Sequence, residues 1–313
     1  YRLRWEEHVQ TGLVFGSSVA AYDINRVRKH EFTRPVKEDD RVRQITALNA
    51  QTGPVLLTYR ADDAVKAIID EAAAGAPAYD LTADDGIGHT LWVLDDDAKI
   101  EQLNQIFDAT DALYIADGHH RSASASRVAK ENSNESAQYF LSVAFAHDEM
   151  KILDYNRVVR DLNGLSADEL LANTAAAFDL EMSAEAVRPA KPTQFGMYVN
   201  GQWYRLDVHS ERVPADDPVA SLDVSLLHSN LIEPLLGISD PRRDDRIDFV
   251  GGMRGLGELE KRVDSGEMEV AFSLYPTTME ALMDVADANE VMPPKSTWFE
   301  PKLADGLVSH VLD

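Results

Sequence analysis

The pentapeptide Asp117-Gly118-His119-His120-Arg121 sets a carboxylate, two imidazoles and a guanidinium side by side, directly after the apolar residues Tyr114–Ala116 and before the small residues of "SASAS". Glycine permits a sharp turn and lets backbone approach a ligand closely. If a helix starts here, its first N–H groups point outward and favour an anion. Imidazole and guanidinium donors suit phosphate oxygens. Asp117 could hold a metal or orient a histidine. A capped helix with polar residues in solvent is the bland alternative for any one of these residues. The four together at one turn weigh towards a functional site.

Two further clusters could join it. "RKHEFTRPVKEDDR" (Arg28 to Arg41) is polar, is expected to be irregular, and sets Glu31 beside His30 among Lys29, Arg34, Lys37 and Arg41. A carboxylate in basic surroundings suits a general base acting near an anionic co-substrate. An ordinary solvated loop explains the composition equally well. "MPPKSTWFEPKLADGL" (Met292 to Leu307) presents Lys295, Ser296 and Thr297 behind a stiff Pro293-Pro294. Lysine with hydroxyls suits phosphate, and Trp298 and Phe299 add apolar walls. The stretch is not a P-loop, because G-x-x-x-x-G-K-[ST] is missing. A tail docked by its aromatics is the alternative. Smaller candidates are Asn156 and Arg157 at a strand end, Arg246, and the Gly251-Gly252 turn.

Other chemistries are excluded or weakened. Cysteine is absent, which removes thiol catalysis, disulfides and thiolate metal sites. Asp and Glu number 54 against 30 Lys and Arg, for a net charge of −24. Nucleic acid and anionic membranes are therefore not expected as partners, since both need a positive field. Adjacent histidines do not share a helix face, so His119 and His120 do not make a zinc pair of the i, i+4 kind. No G-x-S-x-G, H-E-x-x-H or Rossmann fingerprint is present. No apolar run reaches about 18 residues, as a membrane-spanning helix requires. A cytoplasmic protein is the expectation, although Tyr1 is not a methionine and upstream residues are expected in the natural polypeptide.

The elements that must position these residues read as a mixture. "TGLVFGSSVAAYD" is a strand into a turn, "GPVLLTYR" a buried strand, and "DDAVKAIIDEAAAG" an amphipathic helix ending at Gly75. "HTLWVLDDDAKIEQLNQIFDAT" runs from strand to helix, "ALYIADG" is a strand, "HRSASASRVAKEN" a helix, and "AQYFLSVAFAH" and "MKILDYNRVV" are strands. Ser166 and Glu169 form a capping box, and "FGMYVNGQWYRLDV" is a hairpin about Asn200-Gly201. "ASLDVSLLHSNLIEPLLG" and "TTMEALMDVADAN" are helices around the strand "EVAFSLYP". An α/β or α+β fold is expected, with one domain over residues 1–160 and another over 161–313.

In order, "GLVFGSSVAAYDINRVRKHEFTRPVKEDDR", "GPVLLTY", "YIADGHHR", "ILDYNRVV", "RIDFVGG" and "MPPKSTWFEPKLADGL" resemble a bacterial and archaeal family catalogued as a domain of unknown function, over essentially the whole chain. "KHE", "ADGHHR" and "VDSGEMEVAFSLYPTTMEALMDVADANEVMPPKST" are also similar, over about a third of the chain, to the archaeal ADP-dependent free L-serine kinases. Their Asp-Gly-His-His-Arg matches Asp117 to Arg121 letter for letter. Their Lys-Pro-His-Glu aligns its catalytic glutamate with Glu31, although Arg28 and Lys29 depart from that pattern. Their Ser-Pro-Lys-Thr-Thr approximates Pro293 to Thr297.

This second resemblance implies a ParB/sulfiredoxin-like N-terminal domain and a small-molecule phosphotransferase. Glu31 would be the base, with Asp117 and His120 assisting it. Gly118, His119, Arg121, Lys295, Ser296 and Thr297 would hold phosphate. Mg²⁺ would sit at Asp117, and ADP, ATP or pyrophosphate would be the donor. The C-terminal segment would fold back to complete the cleft. A non-catalytic nucleotide-binding module and a phosphohydrolase are the alternatives. The absence of cysteine excludes sulfiredoxin-type reduction.

Overall fold

The apolar runs on either side of the Asp-Gly-His-His-Arg turn become neighbours in one sheet. In the computed structural model, which describes residues 1–313, a five-stranded mixed sheet has the order Leu13–Ser18, Tyr139–Ala146, Val55–Tyr59, Leu113–Asp117, Val27–Arg28. Val55–Tyr59 is parallel to Tyr139–Ala146 and antiparallel to Leu113–Asp117. All five of its residues are buried, as expected of a central strand, with the one hydroxyl among the first four, Thr58 Oγ1, donating to the Phe145 carbonyl. Helix His119–Glu131 packs on helices Pro35–Leu48 and Val19–Asp23, and helix Asp63–Ala73 on Asp97–Ala109. One core joins Tyr22, Ala125 and Ala129 from the first group with Val65, Ile68 and Leu103 from the second, through strand residues Leu57, Ile115 and Phe140.

Two local outcomes differ from the sequence expectation. Residues Pro35–Leu48 form a helix rather than an irregular loop. Proline fits the first helical position, because its missing N–H would be unpaired there anyway. The charged surface of this helix hides the pattern, since Ile45 is its one buried residue. A four-stranded antiparallel sheet of Arg2–Trp5, His8–Thr11, Tyr79–Thr82 and Gly88–Leu91 includes strands the sequence did not disclose.

The chain divides into two compact units. One comprises Tyr1–Lys151 with Phe299–Asp313, and the other Ile152–Trp298. The crossing therefore precedes the expected 160–161. Strand Tyr155–Val159 pairs with Ile247–Gly251 and Val270–Leu274, which places it in the second unit. In the first unit, His310–Val311 pairs with Ala50–Gln51. The second unit is built on a six-stranded antiparallel sheet. Its Asn200-Gly201 hairpin has both turn residues at positive φ, +50° and +75°. Ser166 and Glu169 form the expected capping box, and Thr278 caps helix Met279–Asp287. The helical stretch Asp223–Leu236 contains a π-helical turn at His228–Ile232. The whole is a mixed α+β fold, and no helix is long and apolar enough to cross a membrane.

Candidate functional site

Strand Leu113–Asp117 ends on the aspartate, and Gly118 turns the chain into helix His119–Glu131. Gly118 has φ +103°, which a residue with a β-carbon would adopt only under strain. That β-carbon would also stand 2.8 Å from Arg121 Nε. Glycine thus lets Arg121 fold back over the turn, where it meets Asp117 at 3.3 Å and Asp305 at 3.9 Å. Lys302 Nζ lies 3.8 Å from the same Asp117 oxygen. The result is an alternating row, Lys302, Asp117, Arg121, Asp305. The amides of His119 and His120 have no acceptor in the protein, as is usual for the first turn of a helix.

The two histidines do something other than present charge. His119 is 4% exposed, and its Nε2 accepts the backbone N–H of His30 at 3.4 Å. The proton of the neutral ring is then on Nδ1, which stands 3.8 Å from Glu31 Oε2. Burial, and after it the neighbouring His30, His120, Lys29 and Arg121, hold the His119 pKa well below the ordinary value. His30 packs against it edge to face. Burial pushes His30 down to about 4, opposed by Asp117 and a hydrogen bond to Ile115, and its Nδ1 has no partner.

His120 Nε2 accepts the backbone N–H of Arg34 at 3.0 Å. Arg34 precedes Pro35, and a residue before proline is kept extended. Two rings from one helical turn therefore hold both ends of the His30–Arg34 loop, with Glu31 between them. Side-chain exposure of Glu31 is 57%, and Phe32 beside it is also exposed. His119, expected to hold phosphate, has a ring that is buried, has a lowered pKa and already accepts the His30 amide.

Lys37 and Arg41 lie on the exposed surface of helix Pro35–Leu48. Arg41 hydrogen-bonds Gln44 and, with Arg121 and Asp305, lines a cavity of about 30 Å³. The expected Mg²⁺ position at Asp117 does not fit a resident ion. Asp117 faces two cations, and nowhere do three or more His, Asp or Glu side chains gather as ligands. Lys302 and Asp305 were passed over in favour of Lys295, although both lie in the same C-terminal stretch. The available signal was their charge, one lysine and one aspartate three positions apart in "KLAD". A cavity of about 980 Å³ is lined by Phe15, Trp92, Leu103 and Phe107 among others and includes none of these site residues.

The remaining predicted residues gather in the second unit. Arg157 donates to the carbonyls of Tyr155 and, at 2.9 Å, Lys295. Burial lowers its pKa to about 10. Ser296 Oγ donates to the Pro293 carbonyl at 2.7 Å, and Thr277 Oγ1 to the Ser296 carbonyl at 2.7 Å. The side chain of Lys295 is exposed, and Thr297 follows half-buried. Asn156 is a structural link, bonded to Asp154 at 2.6 Å and accepting the Leu274 N–H at 3.0 Å. Gly251 and Gly252 make room for protein rather than phosphate: a β-carbon would strike the Trp298 ring at 2.8 Å and Asp154 Oδ1 at 2.3 Å respectively. Arg246 is consumed by Asp244, Asp161 and the carbonyls of Leu236 and Gly237, so it is a brace, not a site residue. The predicted residues thus come together as two sets, one in each unit.

A family model described as a protein of unknown function (DUF1015) matches residues 1–225. Among curated proteins there is no match. Similar solved structures include a free serine kinase in complex with AMP, at 13% identity and TM-score 0.42, covering 95% of this chain and 91% of that one. A conserved hypothetical protein from Pyrococcus furiosus has 13% identity and TM-score 0.41, with 94% and 93% covered. SbnI with C-terminal truncation from Staphylococcus aureus has 12% identity and TM-score 0.47, with 93% and 85% covered.

Proposed function

We propose that this chain, which belongs to the DUF1015 family, is a phosphotransferase that moves a phosphoryl group from a nucleotide or pyrophosphate to the hydroxyl of a small molecule. One observation carries the reading. The exposed Glu31 carboxylate stands 3.8 Å from His119 Nδ1, on a loop whose two ends are hydrogen-bonded to rings of the Asp-Gly-His-His-Arg turn. A base is thereby fixed beside a helix start whose amides lack acceptors, which is the pairing that phosphoryl transfer needs.

Glu31 takes the proton of the acceptor hydroxyl as that oxygen bonds to the terminal phosphorus and the bond from phosphorus to the leaving oxygen breaks. Charge on the moving group is met by the first amides of helix His119–Glu131 and by Arg121, with Lys302 alongside. Arg121 exchanges its carboxylate partners for phosphate when the donor enters. Neutral His119 turns its Nδ1–H towards the Glu31 carboxylate. His120 acts through the Arg34 amide as a positioning residue. The motif resemblance to free serine kinases makes L-serine the first acceptor to try and ADP the first donor.

The test incubates the chain with Mg²⁺, L-serine and ADP, ATP or pyrophosphate in turn, then a panel of other hydroxyl metabolites, and follows phosphorylated product by mass spectrometry. Product that disappears in Glu31→Gln is the expected result. Donor binding without transfer to any acceptor would support the non-catalytic module instead. Release of free phosphate without an acceptor would support the phosphohydrolase.

A further inference from the structure

We infer that the second unit carries an oxyanion site of its own, built from Arg157 and Lys295, which takes the carboxylate or phosphate group of a small ligand. Arg157 is the one lysine or arginine of the chain that is buried, at 4% exposure. A guanidinium removed from water needs a counter-charge, because isolated charge in a protein interior is strongly unfavourable. Arg157 has none. Its two protein partners are neutral carbonyls, those of Tyr155 and Lys295. This happens in a chain with 54 acidic residues against 30 Lys and Arg, where counter-ions are plentiful.

The strand explains why no acid reaches it. Successive residues point to opposite faces, so Asp154 and Asn156 alternate with Tyr155 and Arg157. Asp154 is satisfied on its own side by Asn156 and Arg188. On the Arg157 side the neighbours are aromatic: its guanidinium lies 5.0 Å from the Phe249 ring centroid and 5.8 Å from that of Tyr155. Its Nε has no protein partner, yet it is not among the sealed polar atoms that lack one. An N–H is thus left for a ligand.

A second cation shares the same ring. Lys295 Nζ lies 5.4 Å from the Tyr155 centroid, and Lys295 has no ion-pair partner. Its backbone has φ +63°, a region that non-glycine residues enter at a cost and that recurs at ligand sites. Three hydrogen bonds hold the strained turn: Arg157 to the Lys295 carbonyl, Ser296 to the Pro293 carbonyl, and Thr277 to the Ser296 carbonyl. The buried guanidinium therefore also sets the backbone that presents the exposed ammonium. Two cations on one aromatic ring, without a carboxylate, match a single oxyanion group. Both carboxylate and phosphate offer oxygens that a guanidinium can bind in pairs.

The test uses the full chain carrying Arg121→Met, which weakens phosphate binding at the first unit, and titrates it by calorimetry with inorganic phosphate and, separately, with glycolate. At least one of the two binds. Adding Lys295→Met, at an exposed side chain, weakens that binding about tenfold or more, the scale of a lost charge-assisted hydrogen bond, without lowering the melting temperature. Lys295→Arg restores it. Glycolate binding assigns the site to a carboxylate-bearing ligand, and binding of phosphate alone assigns it to a phosphate. Absence of binding by both anions, or binding undiminished by Lys295→Met, overturns the proposal. The result is independent of phosphoryl transfer, since no step of the titration requires Glu31.

Discussion

His30 and His119 meet edge to face with ring centroids 4.5 Å apart, and the backbone N–H of one donates to the ring of the other. Both are buried beneath the loop that carries Glu31. Burial holds the pKa of both imidazoles below the ordinary value, and their contact joins the acid sensitivity of the fold to the placement of the base.

Acid should therefore loosen this region. His30 falls from an ordinary 6.5 to about 4 in the folded chain, and His119 shifts in the same direction, both chiefly through burial. As pH drops below 6.5 the unfolded chain binds protons that the folded one refuses. The stability is present above that value and is lost as pH falls towards 4. For His30 alone the loss between pH 7.5 and 4.5 is roughly 2–3 kcal/mol. Urea unfolding at the two pH values should show it, with a flatter profile for His30→Asn. Equal profiles for the two proteins would remove His30 as the cause.

Glu31→Gln should leave donor binding nearly unchanged and lower turnover by about 10²-fold or more, the scale of a general base. Calorimetry with the donor and steady-state kinetics separate the two effects. Full activity in the variant would mean that another group takes the proton.

His120→Ala removes the acceptor of the Arg34 amide. A net hydrogen bond is worth about 1 kcal/mol, so exchange of that amide should quicken about fivefold. Turnover should fall while Glu31 is intact. Unchanged exchange at Arg34 would show that the ring does not hold the loop.

Gly118→Ala should destabilise the first unit by about 1–3 kcal/mol, from left-handed strain and the displaced Arg121. Chemical denaturation measures the loss. A neutral outcome would mean that the turn accepts another backbone conformation.

Asp223 supplies a prediction away from the site. Its Oδ1 accepts the Thr193 N–H at 2.8 Å, its Oδ2 has no partner, and burial pushes the carboxyl up to about 7. Between 3.8 and 7 the folded chain keeps a proton that the unfolded chain releases, so this residue erodes stability as pH rises through that window. Asp223→Asn should gain on the natural chain by roughly 3 kcal/mol between pH 5 and pH 8. A constant difference across that range would contradict the buried, protonated carboxyl.

The strand-to-helix turn at Asp117 to His119 was legible because composition changes abruptly there, from apolar letters to glycine to small polar ones. Asn200-Gly201 and the Ser166–Glu169 pair were legible because their signals are local. The neutral state of His119 was not, since it depends on a cover that the sequence hides: loop His30–Arg34 and a helix, Pro35–Leu48, with a single buried residue. Lys302 and Asp305 were missed for a related reason. Only the return of the C-terminal segment to the first unit shows which charges face Asp117 and Arg121.

The chain leaves the first unit after Lys151 and re-enters it at Phe299. During synthesis, units that are continuous in sequence can fold as they emerge. The second unit is continuous and can finish while the first still lacks Phe299–Asp313. Until then Ala50–Gln51 waits for His310–Val311, and Asp117 and Arg121 have only each other, without Lys302 or Asp305. The candidate phosphate turn is thus set before the second unit is translated and acquires its flanking charges only from residues that follow that unit, so that its completion reports that the second unit has already been made.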